Sequence, residues 1–295
     1  MEIKTRYGTL HDCMNIERHA DGSLASCMVR KRSTLSIQGK SLIPQYHFDD
    51  SRRKSIPSAD FYPDGTLHKL ALDESQDILT PLGSFPAEYL TFYPDGSLCR
   101  LFPLNGKLSG YWSEKDELAR AVPFSFSIGE NAFRCKIISL HFYASGSLRS
   151  LTLAPGETIL LHTPQGSIKT RIGFALYENG SLASLEPAIV QTIDTPIGPL
   201  PIFDSLALGI HADTNSLGFD STGQIESCKT MASIRIETDR STCTIPPEKI
   251  PAPLTDDMLI PIPTRLIFTE HMIILLQKSR EFHIPLSGTR SYMTI

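Results

Sequence analysis

Tryptophan occurs once in the 295-residue chain, at Trp112, and larger signals are missing with it. No stretch approaches the roughly 18 apolar residues of a membrane-crossing helix. The most apolar run, "LIFTEHMIILL" (266–276), is broken by Glu270 and His271. Clustered positive charge is confined to "VRKRS" (29–33) and "SRRK" (51–54), in a chain of net charge -4. Neither nucleic acid nor an anionic membrane is attracted by such a balance, so no nucleic-acid partner and no membrane span are expected. The opening "MEIKTRYGTLHDCMNIERH" carries Glu2, Asp12 and Glu17 and has no unbroken apolar segment, unlike a signal peptide. The six cysteines, Cys13, Cys27, Cys99, Cys135, Cys228 and Cys243, form no C-x-x-C pair. Reduced thiols and a cytoplasmic location are expected.

Signatures of chemistry are equally scarce. None of the nine histidines stands in H-x-x-x-H or H-E-x-x-H spacing. No G-x-S-x-G elbow, phosphate loop or dinucleotide fingerprint occurs. The best local metal-like cluster is His47 with Asp49 and Asp50 in "QYHFDD". Strand alternation would set His47 and Asp49 on one face, but a polar loop ahead of "SRRK" is the favoured reading. No metal, cofactor or catalytic residue is therefore assigned. The acid pairs Asp49–Asp50 and Asp256–Asp257 would suit a glycosidase only if carboxylates faced each other across a cleft.

A phrase that repeats is present instead. Aligned on a glycine, it reads "RHADGSLASC" (18–27), "FYPDGTLHKL" (61–70), "FYPDGSLCRL" (92–101), "FYASGSLRSL" (142–151), "LYENGSLASL" (176–185) and "FDSTGQIESC" (219–228). Gly22, Gly65, Gly96, Gly146, Gly180 and Gly223 suit a backbone with positive φ. Asp21, Asp64, Asp95, Ser145, Asn179 and Thr222 precede them, mostly short polar types that turns prefer. Pro63 and Pro94 pre-set the φ of a type I turn. The phrase thus spells a three-residue hairpin loop closed by a left-handed glycine and a bulge.

Apolar residues flank each turn. Leu24, Leu67, Leu98, Leu148, Leu182 and Ile225 follow it, and a second apolar side chain returns three residues later. That second slot holds leucine in four copies, and Cys27 and Cys228 in the first and last. Those cysteines are expected to be small core hydrophobes. A spacing of three does not fit a strand's period of two, so either a bulge switches faces or both faces are partly covered. A second phrase, T-x-x-G, occurs at 5–8, 80–83, 163–166 and 195–198, and "IQGKSLIPQYHF" (37–48) has a degenerate form of the same element. The one helix signal is "SEKDELARAV" (113–122), with a serine cap and acids in its first turn.

Tyr62, Tyr93, Tyr143 and Tyr177 hold one position of the phrase, with His19 in the same place in the first copy. Aligned along an edge they would form an aromatic contact strip for a protein or a sugar polymer. The plainer reading is that each tyrosine packs across its own hairpin.

The phrases, with "NGKLSGYW" (105–112), resemble the β-hairpin repeats of the MORN-like and YwqK-type antitoxin-module families. That resemblance implies stacked hairpins and roles in protein scaffolding, lipid contact or toxin neutralisation, without catalysis. The intervals differ from those families in being long and uneven.

The expected fold is all-β, with repeated hairpins in an elongated or curled single-layer sheet of solenoid-like kind. Closure as a propeller or barrel is the alternative. Residues 1–228 form the repeat region, and the proline-rich 229–295 caps the same domain. The expected function is a non-catalytic, cytoplasmic, bacterial-type repeat protein offering a β surface to an unidentified protein partner. A carbohydrate-binding or carbohydrate-active β protein is the second reading.

Overall fold

The structure, a computed structural model, describes residues 1–48, 51–109, 111–209, 211–238, 242–252, 255–285 and 289–293. Those residues form 28 strands and one helix, Glu114–Arg120. Ser113 caps the helix and forms a reciprocal capping box with Asp116. The chain is thus nearly all β. Its main sheet has 17 strands, is antiparallel, and does not close on itself, so the barrel or propeller alternative is corrected: among the described residues no pairing joins the sheet's ends.

The chain divides into two compact units. The first holds Met1–Phe124 and Lys136–Ala154, and the second Ser125–Cys135 and Pro155–Ile295. Residues 229–295 therefore belong to the second unit. In the first unit, strands pair in chain order: Ile3–Thr5, Gly8–Arg18, Leu24–Lys31, Ala59–Phe61, Leu67–Thr80, Gly83–Phe92, Leu98–Phe102, Ile137–Phe142 and Leu148–Leu153. In the second, the order is Ile159–Thr163, Gly166–Leu176, Leu182–Pro187, Leu217–Phe219, Ile225–Thr230, Thr264–Phe268, Met272–Leu276 and Glu281–Pro285.

The repeated phrase is one turn made six times. Each of its glycines has φ between 79° and 90°. In "FYPDGSL", Gly96 N donates to Tyr93 O at 2.9 Å and Tyr93 N to Ser97 O at 2.9 Å. The Asp95 carboxylate accepts from Ser97 N at 2.8 Å and from Ser97 Oγ at 2.6 Å. These bonds hold the Asp95 carboxyl below the usual carboxylate range. The serine after the glycine is thereby committed to the turn. Gly96→Val is expected to cost about 1–2 kcal/mol or more, from the left-handed backbone rather than from crowding. The nearest atom to an added Cβ, Thr66 Cγ2, is 3.9 Å away. An unchanged melting temperature would remove the argument.

A bulge explains the spacing of three. Phe92 pairs with Leu98 but Thr91 pairs with Arg100, leaving Cys99 as the extra residue. The same shift leaves Ala25, His68, Arg149, Ala183 and Glu226 extra in the other copies. One added residue flips the alternation, so Leu98 and Leu101 share a face.

That face is the core. In the first unit Cys27, Ala59, Leu70, Leu90, Leu101, Leu140 and Leu151 lie on successive paired strands, all buried. In the second unit Phe174, Leu185, Leu217, Cys228, Leu266 and Leu275 form the matching row. Cys27 and Cys228 thus sit in leucine slots, where burial pushes both thiols up to about 12.

The T-x-x-G turns are also alike. In each, the threonine Oγ1 donates to the glycine carbonyl, at 2.8 Å for Thr5, 2.9 Å for Thr80, 2.8 Å for Thr163 and 2.6 Å for Thr195. It also accepts from the amide two residues on. The residue between needs no donor, which admits Pro81, Pro164 and Pro196.

Candidate interaction surface

The repeat tyrosines are half-buried, and the hydroxyls of Tyr62, Tyr93 and Tyr177 reach the neighbouring hairpin. Tyr62 Oη donates to Phe92 O at 3.0 Å, Tyr93 to Phe142 O at 2.8 Å and Tyr177 to Phe219 O at 2.8 Å. His19, at the same position of the first copy, places Nε2 2.9 Å from Phe61 O. Each bond spans one copy of the phrase to the leading aromatic of the next. In two copies the bulged residue lies against its own copy's tyrosine. His68 stacks on Tyr62 at 4.5 Å, and the Arg149 guanidinium lies 5.5 Å over the Tyr143 ring. Tyr62, Tyr93 and Tyr177 are therefore first of all ties between hairpins.

A cavity of about 460 Å3 opens in the second unit. Its wall is apolar, from Phe133, Leu161, Phe174, Leu176 and Leu182. Phe133 meets Phe174 edge to face at 6.0 Å. Two repeat turns, at Gly180–Ser181 and at 221–223, form part of the rim, with the Thr163–Pro164 turn and the hairpin tip at 128–131. A Cβ on Gly223 would lie 2.9 Å from Pro164 Cγ, so two rim turns pack closely.

Several polar groups of the rim are engaged locally, while the exposed side chains of Glu130 and Ser221 also line it. Ser181 Oγ donates to Asn179 Oδ1 and Thr222 Oγ1 to Asp220 Oδ1, both at 2.7 Å. His162 Nδ1 lies 2.8 Å from Ser167 Oγ, and Asn131 Oδ1 accepts from His162 N at 2.7 Å. The hollow is thus apolar in its wall and polar at its rim, the usual make-up of a ligand pocket.

Two buried carboxylates lie elsewhere in the second unit. Burial raises the Glu186 carboxyl, against the pull of Ser216 and Arg171, and the like charge of Asp204 adds to the rise. Asp204 in turn pairs with Lys229 at 2.8 Å. Bases thus lie beside both acids. His47 pairs with Asp73 at 2.9 Å. Asp49, Asp50 and the side chains of Asp256 and Asp257 lie outside the described residues. Among the described residues no group of three or more His, Cys, Asp or Glu is placed to hold a metal ion, and no helix is long and apolar enough to cross a membrane.

Sequence reasoning missed the cavity, because its wall comes from four separated segments and no local pattern joins Phe133 to Leu182. A scan against protein-family models and a search of curated proteins each returned no match to the chain.

Proposed function

We propose that the chain is a non-catalytic hairpin-repeat protein whose stacked, solenoid-like β surface is read by a protein partner. In this reading the cavity of the second unit receives one bulky apolar side chain of that partner. The cavity carries the proposal: its wall is apolar, and the Ser181 and Thr222 hydroxyls of its rim are bonded within their own turns. Shaped hollows that take an apolar anchor are a common basis of recognition between proteins. The phrases that resemble MORN-like and YwqK-type repeats point the same way.

A peptide-display selection tests it, with Leu182→Arg as counter-target. Selected peptides are expected to share one large apolar residue and to bind the variant at least about tenfold more weakly, the loss of a buried anchor being worth 1.4 kcal/mol or more. Peptides that bind both proteins equally, or binding found only on a glycan array, would refute the reading.

A further inference from the structure

The hollow of the second unit has a counterpart in the first. A smaller cavity, of about 180 Å3, is lined by the tip of the hairpin that pairs Leu35–Ile37 with Lys40–Leu42. The cavity of about 460 Å3 is lined in the same way by the tip at 128–131, between Phe124–Ile128 and Asn131–Cys135.

Both are built from the same positions of the repeat. Six residues before the turn glycine, Leu90 lines the smaller hollow and Phe174 the larger. Four before it stand Phe92 and Leu176, and two after it Leu98 and Leu182. Just ahead of the T-P-x-G turn, Ile78 and Leu79 match Leu161 and His162. The proline of that turn meets the next copy in each unit. A Cβ on Gly146 would lie 3.5 Å from Pro81 Cγ, and one on Gly223 would lie 2.9 Å from Pro164 Cγ. Each hairpin tip is also tied down. Gln38 Nε2 donates to Gly96 O at 3.2 Å in the first unit, and Asn131 Oδ1 accepts from His162 N at 2.7 Å in the second. A hollow that recurs at matched positions is a feature of the repeat, not a local irregularity of one surface.

Charge at the rim is what differs. Among the described residues lining the smaller hollow, Lys40 alone is charged, whereas Glu130 is the one carboxylate lining the larger. Both are exposed, and neither side chain forms an ion pair among the described residues. The wall of the smaller hollow includes buried Ile37, Leu42 and Phe92, and exposed Leu79 extends it outward. An apolar space of about 150 Å3 holds one benzene molecule, so one phenyl or branched aliphatic side chain suits this one. A cation at the rim favours a carboxylate beside that side chain.

We propose that the first unit's hollow is a second docking site, for a protein segment that carries one apolar side chain flanked by Asp or Glu. The apolar group fills the hollow and the carboxylate pairs with Lys40 Nζ. A segment flanked by bases is repelled at Lys40, so the two hollows share a mode of docking and differ in the partner they accept. The proposal rests on reading the second unit's cavity as a receptor for a partner's apolar side chain.

A random-peptide display library panned on Leu182→Arg, which blocks the larger hollow, tests the smaller one by itself. Recovered peptides are expected to carry Phe, Leu or Ile next to an acid. Synthetic copies should bind Leu182→Arg and the native chain alike. Adding Lys40→Glu should weaken them about fivefold or more at low salt and by less at high salt. Panning on the Lys40→Glu chain should return peptides with Lys or Arg in place of the acid. Adding Leu79→Ala should weaken binding about fivefold or more, with the fold intact because Leu79 is exposed. If Leu182→Arg does not fold, the native chain is panned, and Lys40→Glu and Leu79→Ala decide. No recovered peptide, peptides without an acid, or binding left unchanged by Lys40→Glu or by Leu79→Ala would overturn the proposal. Should the native chain then still yield peptides that Leu182→Arg loses, the reading of the larger cavity stands and only the second site falls.

Discussion

Arg52→Met is expected to destabilise the chain by about 3–5 kcal/mol, because it takes the main cation from the half-buried Glu117 and from the buried Glu88, which keeps only Arg53 at 3.5 Å. Arg52 lies in the short basic cluster "SRRK" yet is only 6% exposed. Its guanidinium forms two bonds to Glu88, at 3.1 and 2.7 Å, and two to Glu117, at 2.7 and 2.8 Å. The remaining acceptor sites are filled by Asn105 N on Glu88 and by Gly106 N and Trp112 Nε1 on Glu117. Gly106 has no room for a side chain: an added Cβ would overlap the Glu117 carboxylate. One arginine thus fastens a loop and the single helix onto the strand Gly83–Phe92. Burial alone would raise the Glu117 carboxyl, but the bonds from Arg52 and Trp112 win and hold it low. A carboxylate held low contributes stability above the ordinary glutamate value of about 4.3, and that contribution is lost as pH falls through its folded value. Urea unfolding at pH 7 and at pH 4 reads both effects. A loss under about 1 kcal/mol at pH 7, or an acid limb as steep in Arg52→Met as in the native chain, would show that the network is marginal.

Leu101→Ala is expected to cost about 2–5 kcal/mol, the range for emptying a fully buried leucine site. Leu101 is fully buried and paired on both sides, to Leu90 and to Leu140. A cavity at that point loosens contacts on both neighbouring strands, and the backbone ladder resists collapse into it. Leu79 is the matched control: it is 81% exposed, so Leu79→Ala should stay within about 0.5 kcal/mol. Equal urea midpoints for the two variants would mean that the leucine row is not the core.

What was legible in the sequence was what a few adjacent residues decide. Pro94, Asp95 and Gly96 specify their turn by local chemistry, and the repeat made it visible six times. Ser113 and Asp116 announced the helix for the same reason. The bulge was half legible, since Leu98 and Leu101 showed that something shifts but not which residue. Arg52 looked like a solvated charge because its carboxylate partners lie far along the chain. The tyrosines were seen to share one position of the phrase, but the bonds of Tyr62, Tyr93 and Tyr177 to the next copy's carbonyl depend on strand order. The cavity needs that order too, and a single chain's pattern does not carry it.

Each hairpin sets aside one residue that its ladder does not use: alanine at 25 and 183, histidine at 68, cysteine at 99, arginine at 149 and glutamate at 226. Such a seat tolerates almost any occupant while the turn and the leucine row stay unaltered. The scaffold and its vocabulary are thereby separable, and new surface chemistry can be written at a fixed address without rebuilding the frame.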